Sequence, residues 1–494
     1  MFRRLSSLMR RRHGGGSERE VALLYLAALA STEPDDRTLV ITAAETSGPI
    51  GEQLSVFKRA SRLLLDWGYS VSESLRHSSL REAGSLRELS EKLSRASNIG
   101  LRLSHVVKNE YEKTREYLRI GFERSMDRVK TIGDVQATLM SSSSFLLVSL
   151  SIMSVVFSGV DSRLIIYSVA AALFSVVVLL SFYVSRVSGS DSLVSPPGYR
   201  EWWLEVSEPF SLIYFMSCLI ILPLATLFLG PDTSWWSYLI LSVAGSVFAS
   251  FLVYRMRRIS RIERELPFLM KSMGESMSTL QIVEKAVAAL LINDYGELTR
   301  HLRRLYLRIR SGISIPVAFR FLVMETNSRH VYEACSVLVE GIDKGAPMSE
   351  LGRMLYDHLN DRLSMRRRRE QVSSYIKGIL IPTAVTVSGV MGLMSSLFSL
   401  LFMYSSLTSQ ILPLTPGVTP SEMAAVLMFM ILVNSAGSGM VIHLAERKSW
   451  IHLCLYFSII LAASISTYLF MKLISDSLFE SLTSYTEAIK EAVG

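Results

Sequence analysis

The stretch MAAVLMFMILVNSAGSGMVIHLA at residues 423–445 decides the fold class of this chain. It contains no Lys, Arg, Asp or Glu, and it is long enough to cross a bilayer as an α-helix, which takes about 20 apolar residues. Further uncharged stretches of this kind lie at residues 137–160, 164–185, 209–231, 233–254, 378–404 and 449–471. The sequence therefore predicts an all-α integral membrane protein with about seven transmembrane helices.

The rest of the sequence contains two long hydrophilic regions, and the order of all these parts defines the predicted domains. They are a flexible basic N-terminus at residues 1–17, a first cytoplasmic helical domain at 18–136, transmembrane helices 1–4 at 137–254, a second cytoplasmic helical domain at 255–377, transmembrane helices 5–7 at 378–471 and an extracytoplasmic C-terminal tail at 472–494. The basic N-terminus leads into three glycines at 14–16 instead of an apolar core, so we expect no signal peptide.

The distribution of charge predicts the orientation in the membrane. Residues 1–140 carry 23 basic and 18 acidic side chains, and residues 255–377 carry 22 and 14. Acidic side chains outnumber basic ones in residues 141–254 and in residues 378–494. Because Lys and Arg collect on the cytoplasmic side, we expect the N-terminus and both hydrophilic regions in the cytoplasm. Seven crossings then place the C-terminal tail outside.

The two hydrophilic regions resemble each other at an offset near 245 residues. The matching pairs are Glu18 with Glu263, Gly100 with Gly345, Tyr111 with Tyr356, and Gly68-Tyr69-Ser70-Val71 with Gly312-Ile313-Ser314-Ile315 after one residue of slippage. The same offset carries span 1 onto span 5 and span 3 close to span 7. We therefore predict a duplicated unit of one helical-bundle domain and three spans, with span 4 as the extra crossing.

Glycines mark the predicted corners between helices, at Gly68, Gly100, Gly312 and Gly345. Glycine tolerates the left-handed conformation that often ends a helix. The Ser-Val-Ser-Glu sequence at 70–73 has the spacing of a capping box that starts the next helix. The simplest interpretation is that these glycines only turn the chain, and the alternative is that their corners present a docking surface.

Three sequences at these positions resemble a known family. They are ERELPFL at 263–269, GISIPVAF at 312–319 and GAPMSEL at 345–351, and they look like the type II secretion system F domain. Proteins with this domain form the inner-membrane platform of secretion systems, type IV pili and archaella. The first hydrophilic region resembles it less, because Ala22 and Leu23 stand where the second has Pro267 and Phe268.

The resemblance implies a function and a set of partners. Seven crossings are more similar to the archaeal branch of the family, so we expect a prokaryotic, archaeal plasma membrane. The implied function is that of a platform that couples a cytoplasmic hexameric assembly ATPase to the insertion of pilin-like subunits. Membrane lipids and a second copy of the chain, as a homodimer, are the other expected partners.

Motifs of catalysis are missing from the sequence. It has no phosphate-binding loop, no HExxH and no GxSxG, and Cys218, Cys335 and Cys454 have no metal-binding spacing. We therefore expect no enzyme activity and no catalytic, cofactor or metal site. The runner-up is a transporter or channel subunit with cytoplasmic helical regulatory domains, although carriers usually place charges inside their spans. A membrane sensor is the third class, and a duplicated domain argues against it.

Two groups of arginines are candidates for binding. Arg303, Arg304, Arg308 and Arg310 have helical spacing and predict a contact with an acidic face of the ATPase, with a solvated helix surface as the alternative. Arg366, Arg367, Arg368 and Arg369 lie about two turns before span 5 and predict an anchor on anionic headgroups, with an acidic partner as the alternative. Nucleic acid is disfavoured as a partner, because no aromatic residues interleave with these arginines.

Overall fold

The structure is a computed structural model that describes residues 15–46, 51, 54–80, 85–156, 162–187, 202–408, 418–446 and 449–493. In these ranges the chain forms α-helices and no β-strand. The helices are α1 Gly15–Leu29, α2 Asp36–Ala44, α3 Ser55–Asp66, α4 Val71–Ser79, α5 Ser85–Asn98, α6 Leu103–Val156, α7 Ser162–Val187, α8 Trp202–Leu229, α9 Pro231–Leu280, α10 Val283–Leu290, α11 Glu297–Arg310, α12 Ile315–Thr326, α13 Arg329–Asp343, α14 Met348–Thr408, α15 Pro420–Glu446 and α16 Trp450–Val493.

Three of these helices join a hydrophilic half to an apolar half without a break. They are α6, α9 and α14, with 54, 50 and 61 residues. Two of them contain a proline, Pro267 in α9 and Pro382 in α14. The change from hydrophilic to apolar sequence therefore occurs within a helix and not at a loop. The other helices of each hydrophilic region are short.

The chain divides into two compact units. The first comprises the described residues up to Arg124, here called the first helical region, and Arg255–Arg367, the second helical region. The second unit takes in residues 125–187, Trp203–Tyr254 and the described residues from Arg368 onward.

Both helical regions contribute to one apolar core in the first unit. Leu24 and Leu39 of the first region and Leu298 and Leu355 of the second are fully buried members of the same cluster. Burying an aliphatic side chain of this size contributes about 1.5–3 kcal/mol, so the shared core holds the two regions together.

The two helical regions have the same order of helices. Helices α2 to α6 begin at residues 36, 55, 71, 85 and 103, and helices α10 to α14 begin at residues 283, 297, 315, 329 and 348. Each start in the second region follows its counterpart by about 245 residues. This order agrees with the internal repeat expected from the sequence, and the duplication itself stays a prediction.

Two buried glutamates attach the first helix of each region to α14. Glu20 of α1 pairs with His358 at 3.3 Å and with Arg362, and Glu263 of α9 pairs with Arg366. Burial raises the pKa of Glu20, but the hydrogen bond from His358 and the charge of Arg362 outweigh it and lower the pKa below its usual value. Glu20 is therefore ionised at neutral pH, and α14 is the common support of both regions.

The described residues include seven helices long and apolar enough to cross a membrane, which agrees with the predicted number. These helices are the apolar parts of α6, α9 and α14 together with α7, α8, α15 and α16. Within the apolar window of α15, 83% of the residues are buried, against 11% in α7, so α15 lies inside the second unit and α7 at its edge.

Small residues allow this close packing of the apolar helices. A Cβ at Gly439 of α15 would lie 3.1 Å from the backbone of Phe457 in α16. A Cβ at Gly392 of α14 would meet the carbonyl oxygen of Tyr468 in the same helix α16. Backbones approach closely where no side chain separates them, as small residues permit in membrane bundles.

Helices that the 245-residue offset relates are in contact within the second unit. The Lys130 Nζ of α6 lies 4.4 Å from the ring centroid of Tyr375 in α14. The rings of Phe215 in α8 and Phe457 in α16 are 5.1 Å apart. Both pairs join residues separated by nearly the repeat length, so corresponding helices pair side by side.

Candidate functional site

The predicted arginine site lies on α11 in the second helical region. The carboxylate of Asp294 accepts hydrogen bonds from the Gly296 backbone N–H at 2.9 Å and the Thr299 hydroxyl at 3.0 Å, which fixes the start of the helix. Leu298, Leu302 and Leu305 are buried at a spacing of three to four residues. The arginines between them therefore point away from the core.

The four arginines of α11 do not have equal surroundings. Arg304 lies 3.4 Å from the carboxylate of Glu325 in α12, and Arg308 also donates to that carboxylate. Arg303 and Arg310 are exposed and form no ion pair within the described part of the chain. The structure thus divides the predicted site into an inner pair, Arg304 and Arg308, and an outer pair, Arg303 and Arg310.

A buried histidine contacts the same carboxylate as the inner pair. His301 Nε2 lies 3.3 Å from a guanidinium nitrogen of Arg258, which can only donate, so Nε2 is the acceptor. The proton then sits on Nδ1, which donates to Glu325 at 3.1 Å. Burial lowers the pKa of His301 and outweighs the opposing effect of Glu325. The imidazole is therefore neutral at pH 7, and Glu325 is neutralised by arginines.

The four predicted corner glycines all have left-handed backbone conformations. Their φ angles are +67° at Gly68, +75° at Gly100, +84° at Gly312 and +67° at Gly345. A Cβ added at any of them would meet no heavy atom within 4 Å. The expected helix corners are present, and each opens onto free space.

Replacing Gly345 by alanine tests the role of backbone conformation alone. No side chain would clash with the new methyl group, so the cost comes from the left-handed φ and is about 1 kcal/mol of unfolding free energy. Chemical denaturation of the purified protein measures this change. Gly345→Asn should cost less, because asparagine tolerates this conformation better.

The second arginine group, Arg366 to Arg369, is only partly available for lipid. The guanidinium of Arg366 pairs with the buried carboxylate of Glu263, and Arg369 is buried. Arg368 lies 3.6 Å from Asp127, and Arg367 is exposed. Arg367 and Arg368 are thus the members of the predicted membrane anchor with an exposed side chain.

One exposed feature was not predicted from the sequence. Large apolar side chains surround the corners at Gly68 and Gly100 and are here called the apolar corner surface: Leu65, Trp67, Tyr69, Ile99 and Leu101. The signal in the sequence was the pair of aromatic residues on either side of Gly68, since a corner that only turns the chain has no need of them.

A comparison with protein families finds that residues 269–396 match the model of Type II secretion system (T2SS), protein F. The match begins in the hydrophilic half of α9, covers α10 to α13 and ends in the apolar half of α14, about a quarter of the chain. It confirms the family resemblance of the second helical region and does not extend to the first. Searches of curated proteins and of solved structures find no match.

Proposed function

We propose that this chain, which carries a type II secretion system protein F domain at residues 269–396, is a membrane platform of a filament-assembly or secretion machine. Proteins of this family are membrane platforms that generally work with an assembly ATPase and pilin-like subunits. We assign the same partners to this chain, with both helical regions in the cytoplasm of a prokaryotic, archaeal cell. The machine would be a type IV pilus, an archaellum or a related secretion system.

Two observations support the proposal: the family match, and the continuous helix α14 that begins inside the matched residues. Helix α14 begins in the matched bundle and continues as a transmembrane helix without interruption over 61 residues. Pro382 removes one backbone hydrogen bond of α14, and the bonds of the other turns keep the helix continuous, so that it can transmit displacement along its axis. An ATPase that moves the start of α14 would therefore move its apolar half.

We propose the outer pair, Arg303 and Arg310, as the part of the arginine site that meets an acidic face of the ATPase. Both side chains are exposed, and two neighbouring arginines already neutralise Glu325. Exposed ion pairs contribute only about 0–1 kcal/mol each, so the outer pair would act mainly by steering the partner.

The double variant Arg303→Glu/Arg310→Glu tests this contact. We expect the affinity for the ATPase from the same organism to fall by about tenfold at low ionic strength, mainly through a slower association rate. The difference from wild type should shrink at high salt, because mobile ions screen exposed charges. Biolayer interferometry on the full chain in nanodiscs measures both rates.

The variant Lys113→Glu/Arg119→Glu is the matched control. It makes the same change in net charge at two exposed positions of α6. Its association rate should stay close to that of wild type. Equal binding by wild type and the α11 variant at low salt, with the fold intact, would remove the outer pair from the proposed contact.

A further inference from the structure

Three buried polar side chains of the second unit have atoms without a hydrogen-bond partner in the described part of the chain. They are Gln136 and Ser144 of α6 and Asn434 of α15, and each is at most 5% exposed. The atoms concerned are the amide nitrogen and oxygen of Gln136, the amide nitrogen of Asn434 and the hydroxyl oxygen of Ser144. A buried polar group without a partner destabilises a fold, so these atoms point to a ligand.

Contacts between α6 and α15 establish how the two helices run past each other. The side chain of Gln136 lies against Gly437, where a Cβ would be 2.9 Å from the amide nitrogen. Fifteen residues further along α6, the hydroxyl of Ser151 donates to the sulfur of Met423 at 3.4 Å. Residue numbers rise along α6 while they fall along α15, so the helices are antiparallel and in contact over this length.

The unpartnered side chains lie between those two contacts. Asn434 is three residues from Gly437, on the same face of α15. Ser144 is eight residues after Gln136 and seven before Ser151, which places all three on one face of α6. Gln136, Ser144 and Asn434, here called the polar seam, therefore line the contact between α6 and α15.

The chemistry of the polar seam fits water. Its amide nitrogens donate and its amide oxygen accepts, so the ligand must both accept and donate hydrogen bonds. A cation would bind the oxygens and leave the nitrogens unpaired, and a lipid chain makes no hydrogen bonds. Gln136 is 0% exposed, which leaves no opening for a protein segment. Water buried in proteins makes about three hydrogen bonds to groups of this kind.

Polar side chains connect the seam to the end of α15. Ser438 follows Asn434 by one turn, and His443 and Glu446 come after it along the helix, all of them buried. Glu446 pairs with Lys377 of α14, whose side chain is 25% exposed. This succession of polar groups gives water a route into the seam that does not cross the apolar core.

We propose that the polar seam is a binding site for water inside the transmembrane bundle. The bound water bridges Gln136 of α6 to Asn434 of α15. A water-mediated hydrogen bond is nearly as favourable as a direct one, and water changes partners readily. Helix α15 can therefore shift along α6 without leaving an amide unpaired. The site goes beyond the platform function and does not depend on it.

Radiolytic hydroxyl labelling of the full chain in nanodiscs tests the site. A microsecond X-ray pulse splits water where it is bound, so a buried side chain beside bound water is oxidised. Met140 is 1% exposed and lies one turn from Gln136, whereas Met391 is 0% exposed in the apolar core of the same unit. We expect Met140 to become methionine sulfoxide about tenfold faster than Met391. Equal rates for the two methionines would overturn the water site.

The double variant Gln136→Leu/Asn434→Leu shows whether the two amides hold the water. Leucine is similar in size to both side chains and makes no hydrogen bond, so labelling of Met140 should fall by about tenfold. The matched control is Tyr468→Phe, which removes a buried hydroxyl that donates to Ser395 at 3.1 Å. This control should label Met140 at the wild-type rate. Undiminished labelling in the double variant would count against the assignment to these amides.

A measurement on the unchanged chain does not depend on how the variants fold. Water-edited solid-state NMR in liposomes, with asparagine and glutamine labelled with nitrogen-15, detects magnetisation that passes from water to side-chain amides. Transfer to the amides of Gln136 and Asn434 is expected at short mixing times, and its absence from both would contradict the proposal. None of these measurements involves an ATPase, so failure of the water site would leave the platform function standing.

Discussion

Replacing Arg366 by alanine is expected to lower the free energy of unfolding of the protein by about 3–5 kcal/mol. The carboxylate of Glu263 is buried, and it accepts hydrogen bonds from the guanidinium of Arg366 and from the hydroxyl of Ser328 at 2.5 Å. Removing the arginine would leave a buried negative charge with a single neutral donor. Denaturant titration with pulse proteolysis, on the purified protein in detergent, measures the loss.

Arg367→Ala is the control for this prediction. Arg367 is the next residue along the chain and is exposed, so its removal should change stability by less than about 0.5 kcal/mol. The double variant Glu263→Gln/Arg366→Met should recover much of the stability, because it removes the charge and its partner together. Equal effects of Arg366→Ala and Arg367→Ala would contradict a buried pair and favour a common anchor on lipid.

Replacing Gly274 by valine is expected to destabilise the first unit by about 3 kcal/mol. Gly274 of α9 crosses α14 at Gly352, and a Cβ at Gly274 would lie 2.7 Å from the Cα of Gly352. From the other side, a Cβ at Gly352 would lie 2.9 Å from the carbonyl oxygen of Met270. These neighbours are backbone atoms, so the helices must separate to admit even one carbon atom.

Gly121→Ala is the control, and its effect should have the opposite sign. Gly121 also lies inside a helix, α6, but a Cβ there would meet no heavy atom within 4 Å. Alanine in an exposed helix interior is favoured over glycine by about 1 kcal/mol. Thermal unfolding of both variants compares them directly. A Gly274→Val protein as stable as wild type would show that α9 and α14 do not cross closely.

Features that depend on neighbouring residues could be predicted from the sequence. The transmembrane helices follow from uncharged runs, and the corners follow from glycines that permit positive φ. The capping box at Ser70 and Glu73 is present, with the Glu73 backbone N–H donating to the Ser70 hydroxyl at 3.3 Å. Each of these signals lies within a few residues, so periodicity and local conformation are enough to find it.

Pairings between distant residues could not be predicted in the same way. Glu20 and Arg362 are 342 positions apart, and no local pattern links them. In α1, the described carboxylate that pairs with α14 is that of Glu20, and no sequence pattern indicated its partners His358 and Arg362. Likewise, spacing grouped Arg303, Arg304, Arg308 and Arg310 together, and only the position of Glu325 divides them.

The contacts between corresponding helices have a consequence for how the bundle is assembled. Helices α6 and α14, and helices α8 and α16, meet as halves of one polypeptide. Two separate subunits would have to associate by diffusion, and they would dissociate on dilution. Covalent linkage replaces that bimolecular step by an intramolecular one with a high effective concentration. The two halves are also made in a fixed one-to-one ratio, so neither can be present without the other.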